Sequence, residues 1–166
     1  MNFGAFVADR ENDVVGTVER VVLDLTTNEV VEYVVHKTLK GERDVVVPMS
    51  AVSEMNDELV LNLNSSDVEK LPDYINRITR DVRAALQGVA ALVPPETIEV
   101  SNKTRVEGID GEIGTLEGVI IDEFTAEATD LIVRLKKPAG SATIPMAWAS
   151  SVRSDVIRLQ CARGDI

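Results

Sequence analysis

A stretch of 22 residues decides the fold because it occurs twice: VGTVERVVLDLTTNEVVEYVVH at 15–36 returns as IGTLEGVIIDEFTAEATDLIVR at 113–134. The copies align without a gap at a spacing of 98 residues, and eight of the 22 positions are identical. Five of the other 14 positions exchange Val, Ile and Leu with one another. After one deleted residue the match resumes, with VPM at 47–49 over IPM at 144–146. A repeat this long is a whole small domain rather than a single hairpin.

Length and composition predict two small globular units. The chain has 166 residues, which allows two units of roughly 70 residues each. Apolar residues make up 45% and charged residues 27% of the chain, as is typical of a soluble globular protein. No apolar run approaches the ~18 residues that cross a bilayer. We therefore expect a cytoplasmic protein without a transmembrane segment.

The net charge of −11 limits the choice of partner. Affinity for nucleic acids depends on Lys and Arg side chains that displace counterions from phosphates. Nucleic acid is therefore disfavoured as a partner. The favoured explanation of the negative net charge is that it keeps the protein soluble. The alternative is that it attracts a basic partner.

Each copy has the pattern of a β-hairpin. Residues 18–23 and 30–35 are rich in β-branched residues and flank the polar sequence DLTTNE, and 116–121 and 129–133 flank DEFTAE in the same way. Asp24 and Asp122 start these turns, where an Asp carboxylate accepts hydrogen bonds from backbone N–H groups two residues on. Recurrence of these acids is thus explained by turn geometry.

Glycines and prolines mark the limits of further strands. Gly16 and Gly114 each follow an acidic stretch and precede a strand, where we expect a positive φ or a β-bulge. Pro48 and Pro145 end later strands, since proline donates no hydrogen bond to a sheet. Many short strands with frequent turns indicate a small barrel or sandwich. The predicted fold class is all-β, formed twice, with a connecting α-helix.

The connecting helix is predicted over residues 73–92. Apolar residues there recur at spacings of three and four: Ile75, Ile78, Val82, Leu86 and Val89. This apolar face packs on the first unit or bridges the two. The alternative is a helix that docks on another protein or on a second copy of the chain. Under that alternative, Ile75, Ile78 and Val82 are candidate partner-binding residues.

Little in the sequence supports catalysis. His36 is the only histidine and Cys161 the only cysteine, which excludes a histidine triad, a multi-histidine metal site and an internal disulfide within one chain. Neither a dinucleotide-binding glycine motif nor a P-loop occurs. We predict no enzyme activity, no cofactor, and no catalytic, cofactor-binding or metal-binding residue. Trp148, the only tryptophan, belongs to a core or inter-unit contact or anchors a partner, and is the fourth candidate partner-binding residue.

The repeated strings resemble the PRC-barrel family, the small β-barrel of the photosynthetic reaction-centre H subunit and of the ribosome maturation factor RimM. The resemblance lies in VGTVERVVLD at 15–24, the strand at 30–35 and DVVVPMSAV at 44–52, followed in the second copy by DGEIGT at 110–115 and IPMAW at 144–148. It implies two PRC-type barrels in tandem, at 1–72 and 98–166, joined by the helix and a proline-containing linker at 73–97. We expect each barrel to close around its own apolar interior.

One segment departs from the family pattern. The loop sequence KKPAGS at 136–141 replaces the usual connection between two strands, so we expect the middle of the second barrel to be irregular.

Members of this family look like binding and assembly modules without a shared active site, so no functional residue is carried over. The leading hypothesis is a non-enzymatic protein-binding adaptor or assembly module, with a protein partner or self-association. One alternative is a RimM-like role in ribosome maturation by binding of a ribosomal protein. Another is a peripheral cytoplasmic subunit of a photosynthetic or other membrane complex.

Overall fold

The computed structural model describes residues 1–75 and 96–166, and the described chain is mostly β. The strands of the first half are β1 (Phe6–Ala8), β2 (Val14–Asp24), β3 (Val30–Lys37), β4 (Arg43–Pro48), β5 (Val52–Met55) and β6 (Leu59–Leu61). Those of the second half are β7 (Thr97–Ser101), β8 (Arg105–Gly108), β9 (Gly111–Ile121), β10 (Ala128–Leu135), β11 (Gly140–Pro145), β12 (Ala149–Val152) and β13 (Val156–Leu159). Short 3₁₀ turns at Met49–Ala51, Met146–Trp148 and Arg163–Asp165 and a helical turn α1 (Ser65–Val68) complete the described elements.

The strands form two sheets with the same internal order. The first sheet runs β4-β3-β2-β1-β6-β5 and the second runs β11-β10-β9-β8-β13-β12, and one sheet is curled into a half-barrel. Most neighbours are antiparallel, while β1 with β6 and β8 with β13 are parallel pairs. The predicted all-β class, with two similar sheets, is confirmed.

The long central strand of each sheet is completed by a segment from the other half of the chain. β2 pairs with β1 through residues 14–17 and with β7 through residues 20–24. β9 pairs with β8 near its start, and further along it bonds to residues 1–3, with Phe3 N donating to the Glu117 carbonyl at 3.0 Å. The halves therefore exchange their leading segments. By its pairing β7 joins the first sheet, although most of it lies in the segment predicted as the second domain.

The two hairpin turns also bond to each other. Val30 N donates to the Ala126 carbonyl at 2.8 Å, and Ala128 N donates to the Asn28 carbonyl at 2.9 Å. These two bonds are related by the repeat spacing of 98 residues, so they are equivalent under a pseudo-two-fold axis. The equivalent residues Glu29 and Glu127 form the bridge between them.

The apolar core is continuous across the two halves. Val21 and Tyr33 of the first half belong to the same buried cluster as Val100, Leu116 and Val119 of the second. The expectation that each unit has its own separate interior is therefore wrong. Strand exchange is the physical reason, because it places apolar side chains of one half against the sheet of the other.

The chain after α1 pairs with the outer edge of the first sheet. Val46 N donates to the Pro72 carbonyl at 2.9 Å, Tyr74 N donates to the Asp44 carbonyl at 2.8 Å, and Asp73 bridges to β4. Residues 73–75 are therefore not helical, and the predicted helix does not begin at Asp73, because this segment supplies hydrogen bonds to an otherwise open sheet edge. From residue 76 onward the predicted helix lies outside the described residues. Among described helices, none has the length and apolar content to cross a membrane.

An ion pair between the buried Lys37 and the half-exposed Glu69 holds this segment in place. The Lys37 side chain is 1% exposed, and its ammonium group donates to the Glu69 carboxylate at 2.8 Å and to the Leu39 carbonyl. The equivalent position in the second half is Leu135. The first half thus carries a charged contact to its own C-terminal extension where the second half has an apolar residue.

Gly16 and Gly114 are required by close contact rather than by a positive φ. A Cβ atom on Gly16 would lie 2.2 Å from the His36 carbonyl oxygen, and one on Gly114 would lie 2.0 Å from the Arg134 carbonyl oxygen. Neither glycine has a positive φ. The expected irregularity is present beside them, because β2 and β9 each carry one extra residue opposite the short first strand.

The loop at 136–139 does not disturb the second sheet. β10 and β11 pair without a register shift from Asp130 with Pro145 to Leu135 with Gly140. The expected irregularity is therefore absent from the β10–β11 pairing, where the Pro- and Gly-containing sequence reverses the chain. β10 does shift register at two places against β9.

We predict that Gly16→Ala and Gly114→Ala each lower the free energy of unfolding by about 1–3 kcal/mol, since the added methyl group forces two strands apart. The measurement is urea denaturation followed by circular dichroism. Gly140→Ala is the matched control, because a Cβ there meets open space, and its effect should stay within about 0.5 kcal/mol. Equal stability of all three variants would contradict the close-contact explanation.

Candidate interaction surface

The most exposed large apolar side chain in the described residues is Phe124, at 90% exposure. It lies in the turn between β9 and β10, where the Asp122 carboxylate accepts hydrogen bonds from the backbone N–H groups of Phe124 (2.9 Å) and Thr125 (3.0 Å). Ala126 completes the turn with a φ of 61°. These backbone contacts fix the turn and leave the Phe124 ring in solvent.

A groove of about 390 Å³ lies between this turn and the far end of the first sheet. We call it the acidic groove. Its lining residues include Met49, Val52, Glu54, Met55, Glu123 and Phe124. The groove therefore combines apolar side chains with carboxylates, and it exists only because residues from both halves meet there.

A second groove of about 390 Å³ occupies the pseudo-symmetric place, between the β2–β3 turn and the end of the second sheet. We call it the neutral groove. Its lining residues include Leu25, Asn28, Met146, Ala149, Ser151 and Val152. Met49 corresponds to Met146, and Met55 to Val152, at a spacing of 97 residues. The same frame thus carries two different surfaces.

A buried tyrosine contacts a side chain that lines the acidic groove. The Tyr33 hydroxyl donates a hydrogen bond to the Met55 sulfur at 3.1 Å, and Tyr33 is fully buried. Burial raises the pKa of Tyr33 well above its usual range, so this hydroxyl remains a donor. One face of Met55 is thereby anchored to the core of the first half.

The four candidate partner-binding residues fall in separate places. Trp148 ends the 3₁₀ turn after β11 and is 39% exposed, whereas its counterpart Ala51 is buried. Ile75 is half-buried after the segment that pairs with β4. Ile78 and Val82 lie outside the described residues. The sequence analysis missed Phe124 and the groove beside it, because it assigned residues 122–127 only to turn geometry.

The acidic loop between β1 and β2 is the one place in the described chain where carboxylates cluster closely enough to hold a metal ion: Asp9, Glu11 and Asp13. The Asp9 carboxylate is fully buried and already accepts bonds from Glu11 N (2.9 Å), Asp13 N (3.0 Å) and the Ser65 hydroxyl (2.8 Å). Burial acts to raise its pKa, but these hydrogen bonds together lower it. The carboxylate therefore holds the loop to α1.

His36 and Cys161 have ordinary surroundings. His36 Nδ1 lies 2.8 Å from the Asp44 carboxylate across β3 and β4, and that hydrogen bond raises the pKa of His36. Burial, with the charge of Asp165, raises the pKa of the Cys161 thiol. A thiol with a raised pKa is a poor nucleophile at neutral pH.

Comparison with known families identifies the first half. Residues 3–68 match the PRC-barrel domain. The match spans β1 to α1, so all six strands of the PRC-barrel domain belong to the first sheet, which β7 extends from outside it. Such a domain indicates, in general terms, a protein-interaction or assembly module. No curated protein matches the chain.

We predict that Asp9→Asn reduces the loss of unfolding free energy that the protein shows when the pH is lowered. The folded-state pKa of Asp9 lies below the ordinary Asp value of 3.8, so its stabilising contribution is present above that value and is lost as pH falls through the folded pKa. Urea midpoints measured near neutral pH and at about pH 3 should differ less for the variant than for the wild type. Asp57→Asn, at an exposed carboxylate, should keep the wild-type difference. An unchanged difference in Asp9→Asn would contradict the assignment.

Proposed function

We propose that the chain is a non-enzymatic adaptor or assembly module that binds protein partners through a rigid pair of PRC-type barrels. The observation that carries the proposal is the joining of the two sheets by exchanged strands and a shared core. Surfaces from both halves are thereby held at a fixed spacing. A rigid surface loses little conformational entropy on binding, which is what an assembly module requires.

The second sheet is proposed to be a second PRC-type barrel. Supporting this are the repeat at a spacing of 98 residues and the identical strand order of the two sheets. The equivalent glycines Gly16 and Gly114 also make the same backbone contact. Duplication of one barrel accounts for all three.

The non-enzymatic part of the proposal is supported by the way in which the ionisable groups are used. The buried Asp9 carboxylate holds a loop, the buried Lys37 holds the segment after α1, and the Cys161 thiol has a raised pKa. Each of these groups has a structural explanation.

We expect the full-length chain, immobilised and mixed with native extract of its source organism, to retain a defined protein partner that chemical cross-linking joins to the surface of the sheets. Mass spectrometry identifies the partner and the cross-linked residues. The control bait is an unrelated protein of similar net charge, which accounts for adsorption to an acidic surface.

Retention of no protein beyond that control, at micromolar bait, would overturn the proposal. So would a small molecule that stabilises the chain in a thermal-shift screen and is chemically converted by it. Co-sedimentation with ribosomal small-subunit particles would direct the function to ribosome maturation instead.

A further inference from the structure

We propose that the acidic groove binds an extended peptide segment of a partner protein, in which an apolar side chain is flanked by Lys or Arg. This inference rests on the proposed protein-binding function and specifies its site and the chemistry of the partner. The occupant follows from three properties of the groove: its charge, its open sheet edge and its difference from the neutral groove.

Charge selects a basic occupant. Glu54 and Glu123 line the groove, and the exposed Asp57 and Glu58 lie in the adjoining turn between β5 and β6. Within residues 1–75 and 96–166 none of these four carboxylates takes part in an ion pair. Carboxylates left unpaired beside apolar side chains attract a cationic segment and reject an acidic one.

The sheet edge selects an extended occupant. β5 is the last strand of the first sheet, and no described strand pairs with its outer side. Glu54 and Met55, both in β5, line the groove. A peptide in extended conformation can bond to such an edge through its backbone while alternate side chains enter the groove. The Phe124 ring and the Met49 and Met55 side chains offer an apolar contact for one of them.

Comparison with the neutral groove shows that this chemistry is not needed for folding. The residue equivalent to Glu54 is Ser151. The residues equivalent to Glu123 and Phe124 are Leu25 and Thr26. Meanwhile Asp24 and Thr27 make the same turn contacts as Asp122 and Thr125. Because the turn forms without an aromatic residue, the 90% exposure of Phe124 is not a requirement of the fold.

The test uses a variant that carries the residues of the neutral groove: Glu54→Ser, Glu123→Leu and Phe124→Thr combined. Each new residue already occupies the equivalent position in this protein, so we expect the variant to fold, as judged by circular dichroism and urea denaturation. The control combines Glu11→Gln and Glu42→Gln. It removes an equal number of negative charges, two, from exposed positions outside the groove.

The probe is a displayed library of random short peptides, selected on the wild-type chain. We expect enriched peptides with Lys or Arg on either side of an apolar residue. Affinity for the combined variant should fall by about tenfold or more, while the charge control should bind within about threefold of the wild type. Nuclear magnetic resonance titration should shift residues 52–56 and 122–125, and binding should weaken as salt is added.

Enrichment of peptides without basic residues, equal binding to the combined variant, failure to enrich any peptide, or shifts spread over the whole acidic surface would each overturn the groove assignment. The protein-binding function is tested separately. If the partner captured from extract is retained equally by the combined variant, the groove assignment fails and the function stands. If the wild type captures no partner, the function itself fails.

Discussion

The exchange of leading segments between the two halves is the constraint on which the structure depends. β2 and β9 are too long to be covered by β1 and β8 alone, and a buried strand leaves few backbone groups without hydrogen bonds. β7 supplies the missing partner for β2, and residues 1–3 supply it for β9. Neither sheet is complete without the other half, so the core is shared and hydrogen-bonded strands connect the two halves.

Equivalent contacts in the two halves distinguish residues that hold the fold from residues that are free to differ. Asp24 and Asp122 start equivalent turns, and Gly16 and Gly114 allow equivalent strand contacts. Between those fixed positions the surface differs: the tip of one turn is polar, and the other carries Phe124. Two grooves of similar size thus differ in charge and aromatic content, so one pair of sheets presents two distinct surfaces.

The sequence alone predicted most of the strands, the turns and the repeat, because these follow from local patterns that recur in the printed order. It did not predict β5, β7 or β12. β-branched runs became strands, Asp24 and Asp122 capped their turns, and both prolines ended strands as expected. The start of the predicted helix was wrong, since residues 73–75 pair with β4 instead. The spacing of apolar residues shows that one face of a helix would be apolar. It does not show that a neighbouring sheet edge can take the same backbone groups as hydrogen-bond partners.

Taken by itself, the sequence determined a mostly β chain with a repeated strand-and-turn pattern and a negative net charge, since composition, spacing and turn residues are properties of short segments. Only the tertiary structure decided that the halves exchange strands, share a core and enclose a groove between Phe124 and β5. Those features join residues from about 70 to 118 positions apart, and the free energy of such contacts depends on how whole sheets pack, which no local pattern encodes.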